Sequence, residues 1–213
     1  KFVSSEKLQE FAQANAKRME SKFDIAMGMY KALIEKYPED NDAYWGKILC
    51  EYGIEYVDDD RTERRIPTCH RTIKESIFQN KDYKFIISRA TKEEKAIYEA
   101  EAKEIDRIQK EILATAQKED PYDIFICYKE TDEIGNRTID SVIAQDVYNA
   151  LTDKGYRVFF SRISLEDKIG QQYEPYIFAA LNSAKVMLAF GTKYEYYHAV
   201  WVKNEWSRFL KLM

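Results

Sequence analysis

The hydrophobic positions change their period once along the chain. Up to about residue 120 they recur every three or four residues, the spacing of one helix face. Between residues 22 and 36 the apolar set is Phe23, Ala26, Met27, Tyr30, Leu33 and Ile34. Tyr37-Pro38-Glu39-Asp40 ends that helix, because Pro38 lacks an N–H and crowds the preceding turn. Asn41 or Asp42 can cap the next helix, expected to run to about Val57. Residues 58–65 read as a solvated charged loop. Two more helices are expected over 72–90 and 92–118, the second carrying Ile105, Ile108 and Ile112. That stripe lasts under three heptads and suits a bundle seam. From residue 121 the apolar residues fall in three short runs, at 122–128, 156–160 and 186–190. Each is rich in β-branched or aromatic residues, as buried strands are. Between them lie helical patterns at 141–154, closed by Gly155, and at 175–183, opened by Pro175. Strand alternating with helix implies right-handed crossovers and a parallel sheet covered on both faces. The expected organisation is an all-α domain over 1–120, then an α/β domain over 121–213.

Composition narrows the function classes. The 213 residues are 45% hydrophobic and 33% charged, enough to bury a core and unlike a disordered chain. Lys plus Arg number 33 and Asp plus Glu 37, so the net charge of -4 offers no footprint for nucleic acid or an anionic membrane. No apolar run approaches a membrane span, and no signal-peptide pattern opens the sequence. Cys50, Cys69 and Cys127 are too few and scattered for a disulfide framework, and fit a reducing cytoplasm. Cys69-His70 offers only two adjacent ligands, so no metal is expected. With only His70 and His198 there is no Ser-His-Asp set, and no glycine-rich phosphate loop is found.

Three blocks in the second half carry a resemblance. They are Tyr122-Asp-Ile-Phe-Ile-Cys-Tyr128; Gly155-Tyr-Arg-Val-Phe-Phe160 with Leu165-Glu166-Asp-Lys-Ile-Gly170; and Trp201-Val-Lys-Asn-Glu205-Trp206. In that order and spacing, residues 121–213 resemble a TIR (Toll/interleukin receptor) domain of the bacterial, NAD-cleaving type. The resemblance implies a flavodoxin-like parallel sheet lacking its last two strands, with the third strand left as a hydrophobic edge. That deficit, with Lys1 in place of a start methionine, suggests a fragment or an edge covered by another segment. In the first half, the helical pair with Tyr44-Trp45-Gly46 at its second start resembles a single tetratricopeptide hairpin. Solenoids need about three copies, so an ordinary helical hairpin is the simpler reading.

In open parallel sheets ligands bind at the carboxyl ends of strands, where the strand order reverses. For an order beginning 2-1-3 the crevice lies between the first and third strands, flanked by Tyr128-Lys129 and Gly191-Thr192. The last helix is expected to dock through Val202, Trp206, Phe209 and Met213, which places Trp201, Glu205 and Arg208 on the neighbouring face at the crevice edge. Glu174 is a competing carboxylate, expected farther away because it follows the second strand.

The resemblance implies cleavage of the nicotinamide–ribose bond of NAD, with NAD as substrate and no cofactor. It assigns the catalytic carboxylate to Glu205 and substrate contacts to Tyr128, Lys129, Glu166 and Trp201. Lys129 stands where the family often has Arg, a point charge in place of a fork. A pyridinium leaves as a neutral group and needs no general acid, so one carboxylate suffices. The implied setting is a cytoplasmic bacterial defence effector that self-associates through the loop at 164–172. The alternative is a TIR interaction module without chemistry.

Overall fold

The computed structural model describes residues 5–59, 64–168 and 172–213. The chain divides into two compact units, Lys1–Leu113 and Ala114–Met213.

The first unit opens with three helices, α1 (Ser5–Met19), α2 (Phe23–Lys36) and α3 (Asn41–Glu51). The apolar stripe of α2 is buried: Phe23, Ala26, Tyr30 and Leu33 pack with Ala14 of α1 and with Ala43 and Cys50 of α3. The cap of α3 is Asp40, one residue before the two expected. Its carboxylate accepts from the backbone N–H groups of Asp42 and Ala43, satisfying donors that a helix start leaves open. The helix also stops earlier than expected. After Glu51 the chain turns through Gly53, whose φ of 61° suits glycine, and enters strand β1 (Ile54–Asp59). This pairs antiparallel with β2 (Arg64–Cys69). The strands of a hairpin therefore take up 58, 59, 64 and 65 of the loop expected at 58–65, whose residues 60–63 lie outside the described residues. The expected helix over 72–90 shortens to a 3-10 turn, Ile77–Gln79, and α4 (Lys81–Arg89), which Asn80 caps. The long helix α5 (Lys92–Ala116) buries Tyr98, Ala102, Ile105, Ile108 and Ile112 at steps of three and four.

The second unit builds a three-stranded parallel sheet. Its strands are β3 (Ile124–Cys127), β4 (Val158–Phe160) and β5 (Val186–Ala189), in the order β4-β3-β5. Helix α6 (Ile139–Thr152) links β3 to β4. The short α7 (Ser161–Ser164), a 3-10 turn and α8 (Glu174–Ser183) link β4 to β5. The short α9 (Tyr194–Tyr197) and α10 (Val200–Leu212) follow β5. Strand pleating separates two cores. Phe125, Cys127 and Phe159 pack with Ala180 and Leu181 of α8 and with Val202 and Phe209 of α10. On the other face Ile124, Ile126, Tyr128, Val158 and Phe160 pack with Ala144 of α6. Strand β5 forms one edge, and its Val186 is 47% exposed. Among the described residues, no helix is long and apolar enough to cross a membrane.

Candidate functional site

The last helix is placed by its apolar stripe. Val202 and Phe209 are buried, and Trp206 packs partly buried against the same core. The Trp206 indole lies flat on Tyr197, ring centroids 5.5 Å apart, and its N–H donates to the Tyr197 carbonyl at 3.3 Å. Met213, expected on the docking face, is 90% exposed at the end of the chain. This anchoring turns the next face of α10 toward the carboxyl end of β3. The Cys127 thiol, last in that strand, donates to the Val202 carbonyl at 3.4 Å.

Glu205 sits partly buried on this face. Burial pushes its carboxyl up from the usual range to about 7; Glu174 adds to the rise, while the Cys127 thiol and Arg208 oppose it. Cys127 is raised in turn, first by its own burial and then by the neighbouring Glu205 charge. Glu205 is thus a carboxyl that changes charge near neutral pH, in surroundings that disfavour the charge.

Glu174 lies closer than expected. The Arg208 guanidinium donates through Nη2 to Glu174 Oε1 at 2.8 Å and through Nη1 to Oε2 at 3.3 Å. The crossover rule gives the reason. The connection from β4 to β5 passes back over β3, so α8 lies on the same sheet face as the helix after β5. The first turn of α8 then meets α10, and Glu174, Arg208 and Glu205 form one charge cluster.

The other expected contacts divide by parity and loop. Tyr128 follows Cys127 and so points to the opposite face. It is 7% exposed and stacked on Phe160 with centroids 4.9 Å apart. Its hydroxyl lies 3.0 Å from Ser161 Oγ and accepts from the Arg162 N–H at 3.3 Å. The structure therefore sets Tyr128 in the core on the α6 side and does not bring it together with Glu205. Lys129 is on the rim, its ammonium 5.6 Å from the Tyr196 ring centroid. Trp201 is 51% exposed, and the packing tryptophan of the helix is Trp206.

Glu166 is exposed and lines a separate open cleft beyond β4 with Glu130, Ser161, Arg162 and Tyr173. Arg162 Nη1 donates to Glu130 Oε1 at 2.6 Å. Burial works against the Glu130 charge, but the Tyr128 and Ser141 hydroxyls and Arg162 outweigh it and hold the carboxyl below its usual range. Residues 169–171 of the expected docking loop lie outside the described residues.

At the rim between β3 and β5, the Thr192 N–H donates at 3.0 Å to Asp140 Oδ1 in the first turn of α6. That contact ties the loop after β5 to the helix after β3. Sequence reasoning left Asp140 out; its position two residues after the capping Thr138 was the available signal. In the first unit, His70 Nε2 lies 3.1 Å from Glu55 Oε2 and 3.0 Å from Thr68 Oγ1, and the Cys69 thiol donates to the Tyr52 carbonyl. The His70 ring thus bonds to side chains of the hairpin, and the Cys69 thiol to the turn that follows α3.

A comparison with family models matches residues 124–213 to the TIR domain. The second unit carries a TIR domain. Comparison with curated proteins and with solved structures returned no match. Within the TIR domain, the Trp201-x-x-x-Glu205 helix is α10.

Proposed function

We propose that the TIR domain is an NAD+ nucleosidase that cleaves the nicotinamide–ribose bond, with Glu205 as its catalytic carboxylate. The observation that carries this reading is one partly desolvated carboxyl at the carboxyl end of the sheet, poised to titrate near 7. As nicotinamide departs it takes the bonding electrons and becomes neutral, so no acid has to protonate it. The ribosyl carbon is left with oxocarbenium character, and an ionised Glu205 stabilises that charge and orients the ribose hydroxyls. Water, or an atom of the same nucleotide, then closes the sugar to ADP-ribose or to a cyclic form. The half-buried Lys129 after β3 and the exposed Trp201 of α10 are the contacts this reading assigns to the nucleotide.

The exposed stretch around Arg162, Glu166 and Asp167 favours a second role, docking of one TIR domain on another. The two roles combine if assembly orders the site, and activity per chain then rises with protein concentration. The discriminating experiment incubates concentrated protein with NAD and follows free nicotinamide. Release by the parent and its loss in Glu205→Ala is the expected result. Equal release by parent and variant would reject the assignment, and no release at any concentration leaves the docking role alone.

A further inference from the structure

At the carboxyl ends of β3 and β5 the fold brings two lysines to one ring. Lys129 follows β3, and its ammonium lies 5.6 Å from the Tyr196 ring centroid. Lys193, in the loop after β5, places its ammonium 4.9 Å from the same centroid. Both backbones are tied to the start of one helix. The hydroxyl of Thr138, the cap of α6, donates to the Lys129 carbonyl. The Thr138 N–H donates to the Glu130 carbonyl at 3.0 Å. Asp140 Oδ1, in the first turn of α6, accepts at 3.0 Å from the N–H of Thr192, the neighbour of Lys193. Thr138 and Asp140 are 3% and 0% exposed, so both lysines hang from a packed part of the domain. Gly191 closes the loop from the other side. A Cβ built there would meet the Tyr197 side chain at 2.6 Å, so a glycine is what lets α9 and its Tyr196 come this near to the strand end.

Two ammoniums around one ring repel each other, and the negative face of the phenol offsets that repulsion only in part. The carboxylates close to them along the chain are engaged elsewhere or point into solvent. Glu130 accepts from Arg162 at 2.6 Å, and Asp132 accepts from the N–H groups of Ile134 and Asn136. Glu195 is exposed. Among the described residues, neither lysine is joined to an acid. Two like charges held at the rim where open parallel sheets bind their ligands focus a positive field there.

We propose that Lys193 and Lys129, carried over Tyr196 by the start of α6, bind the pyrophosphate of the dinucleotide. The inference rests on the reading of the TIR domain as acting on NAD, and it adds Lys193 as the residue that makes the site prefer a dinucleotide to a bare riboside. A pyrophosphate spreads its charge over two phosphoryl groups, which suits two ammoniums on separate stems. Each is a compact charge with three donors and needs no fixed fork geometry.

The test uses the whole chain and two readouts. In the first, inorganic pyrophosphate is titrated into isotope-labelled protein and followed by NMR at the Thr192 and Lys193 amide signals. Saturable shifts are expected in the parent. The dissociation constant should rise about tenfold in Lys193→Gln and stay near the parent's in Lys193→Arg. Lys193 is exposed, so neither change disturbs packing. The second readout is nicotinamide release from NAD and from nicotinamide riboside, which has the same glycosidic bond and no phosphate. The preference for NAD should fall about tenfold in Lys193→Gln, through KM and not kcat. A parent that does not bind pyrophosphate, or a Lys193→Gln variant that binds it as the parent does, overturns the proposal. Lys193-dependent pyrophosphate binding in a protein that releases no nicotinamide leaves the lysine pair standing and removes the NAD reading. Glu205-dependent release, with pyrophosphate binding and substrate preference unmoved in Lys193→Gln, does the reverse.

Discussion

At the scale of single residues, Glu205 works against the fold that holds it. Its carboxyl titrates near 7 in the folded protein, against an ordinary value of 4.5. The folded state thus binds this proton more tightly than the unfolded state. Below about pH 4.5 both states are protonated and the group's contribution is fully present. As pH rises from there through 7, the unfolded state gains from ionisation and stability falls. The full interval corresponds to about 3 kcal/mol at most, and partial exposure reduces it to about 2 kcal/mol. Glu205→Gln should therefore be more stable than the parent by about 2 kcal/mol at pH 8 and nearly equal to it at pH 4. Urea unfolding at the two pH values checks this, and a difference independent of pH would show that the carboxyl is not desolvated. Tyr128 is a different case. A position at the rim made it a candidate, but strand parity sends Cys127 to the α10 face and Tyr128 to the α6 face, and parity overrides nearness along the chain.

At the scale of elements, helix α3 lies against α2 through a glycine. A Cβ built on Gly46 would meet the Tyr30 ring at 2.3 Å, and that ring is fully buried with its hydroxyl donating to Asn15 Oδ1 at 2.6 Å. Gly46→Ala gains about 1 kcal/mol of helix propensity but must push the tyrosine out of its place, which costs about 1–3 kcal/mol. The expected result is a lower unfolding midpoint. Gly28→Ala in α2, where nothing lies within 4 Å of the added carbon, keeps the propensity gain and should raise the midpoint; two changes of the same sign would contradict this packing. The apolar period of α2 was readable in full because each buried residue faces one core. The hairpin was not. Its strands are interrupted by the charges of Asp58, Asp59, Arg64 and Arg65, and their pairing depends on residues up to fifteen apart, Ile54 with Cys69. No local pattern records that pairing. The order of the three parallel strands followed from the sequence, and so did the docking of α10 through Val202, Trp206 and Phe209, though not through Met213. The contact of Glu174 with Arg208 did not, because it depends on which sheet face each crossover takes, and the position of Glu174 in the sequence was a poor guide to that.

At the scale of the whole molecule, each described core closes within its own unit. Phe23, Ala26, Tyr30 and Leu33 pack with residues of the first unit, while Phe125, Phe159, Val202 and Phe209 pack within the second. If most of the stabilising burial is local to a unit, the two should unfold in separate steps. The tryptophans allow the steps to be seen apart. Trp45 belongs to the first unit, where its indole N–H donates to Glu101 Oε2 at 2.9 Å, and Trp201 and Trp206 belong to α10. In a Trp45→Phe background, fluorescence reports the TIR domain alone. Leu33→Ala in that background removes a side chain that is 2% exposed, a change that costs about 2–5 kcal/mol. It should lower the helical loss seen by circular dichroism and leave the fluorescence midpoint in place. Phe159→Ala, made in the stacked Phe125–Phe159 pair with centroids 4.8 Å apart, should move the fluorescence midpoint. A fluorescence midpoint that follows Leu33→Ala would mean one cooperative molecule.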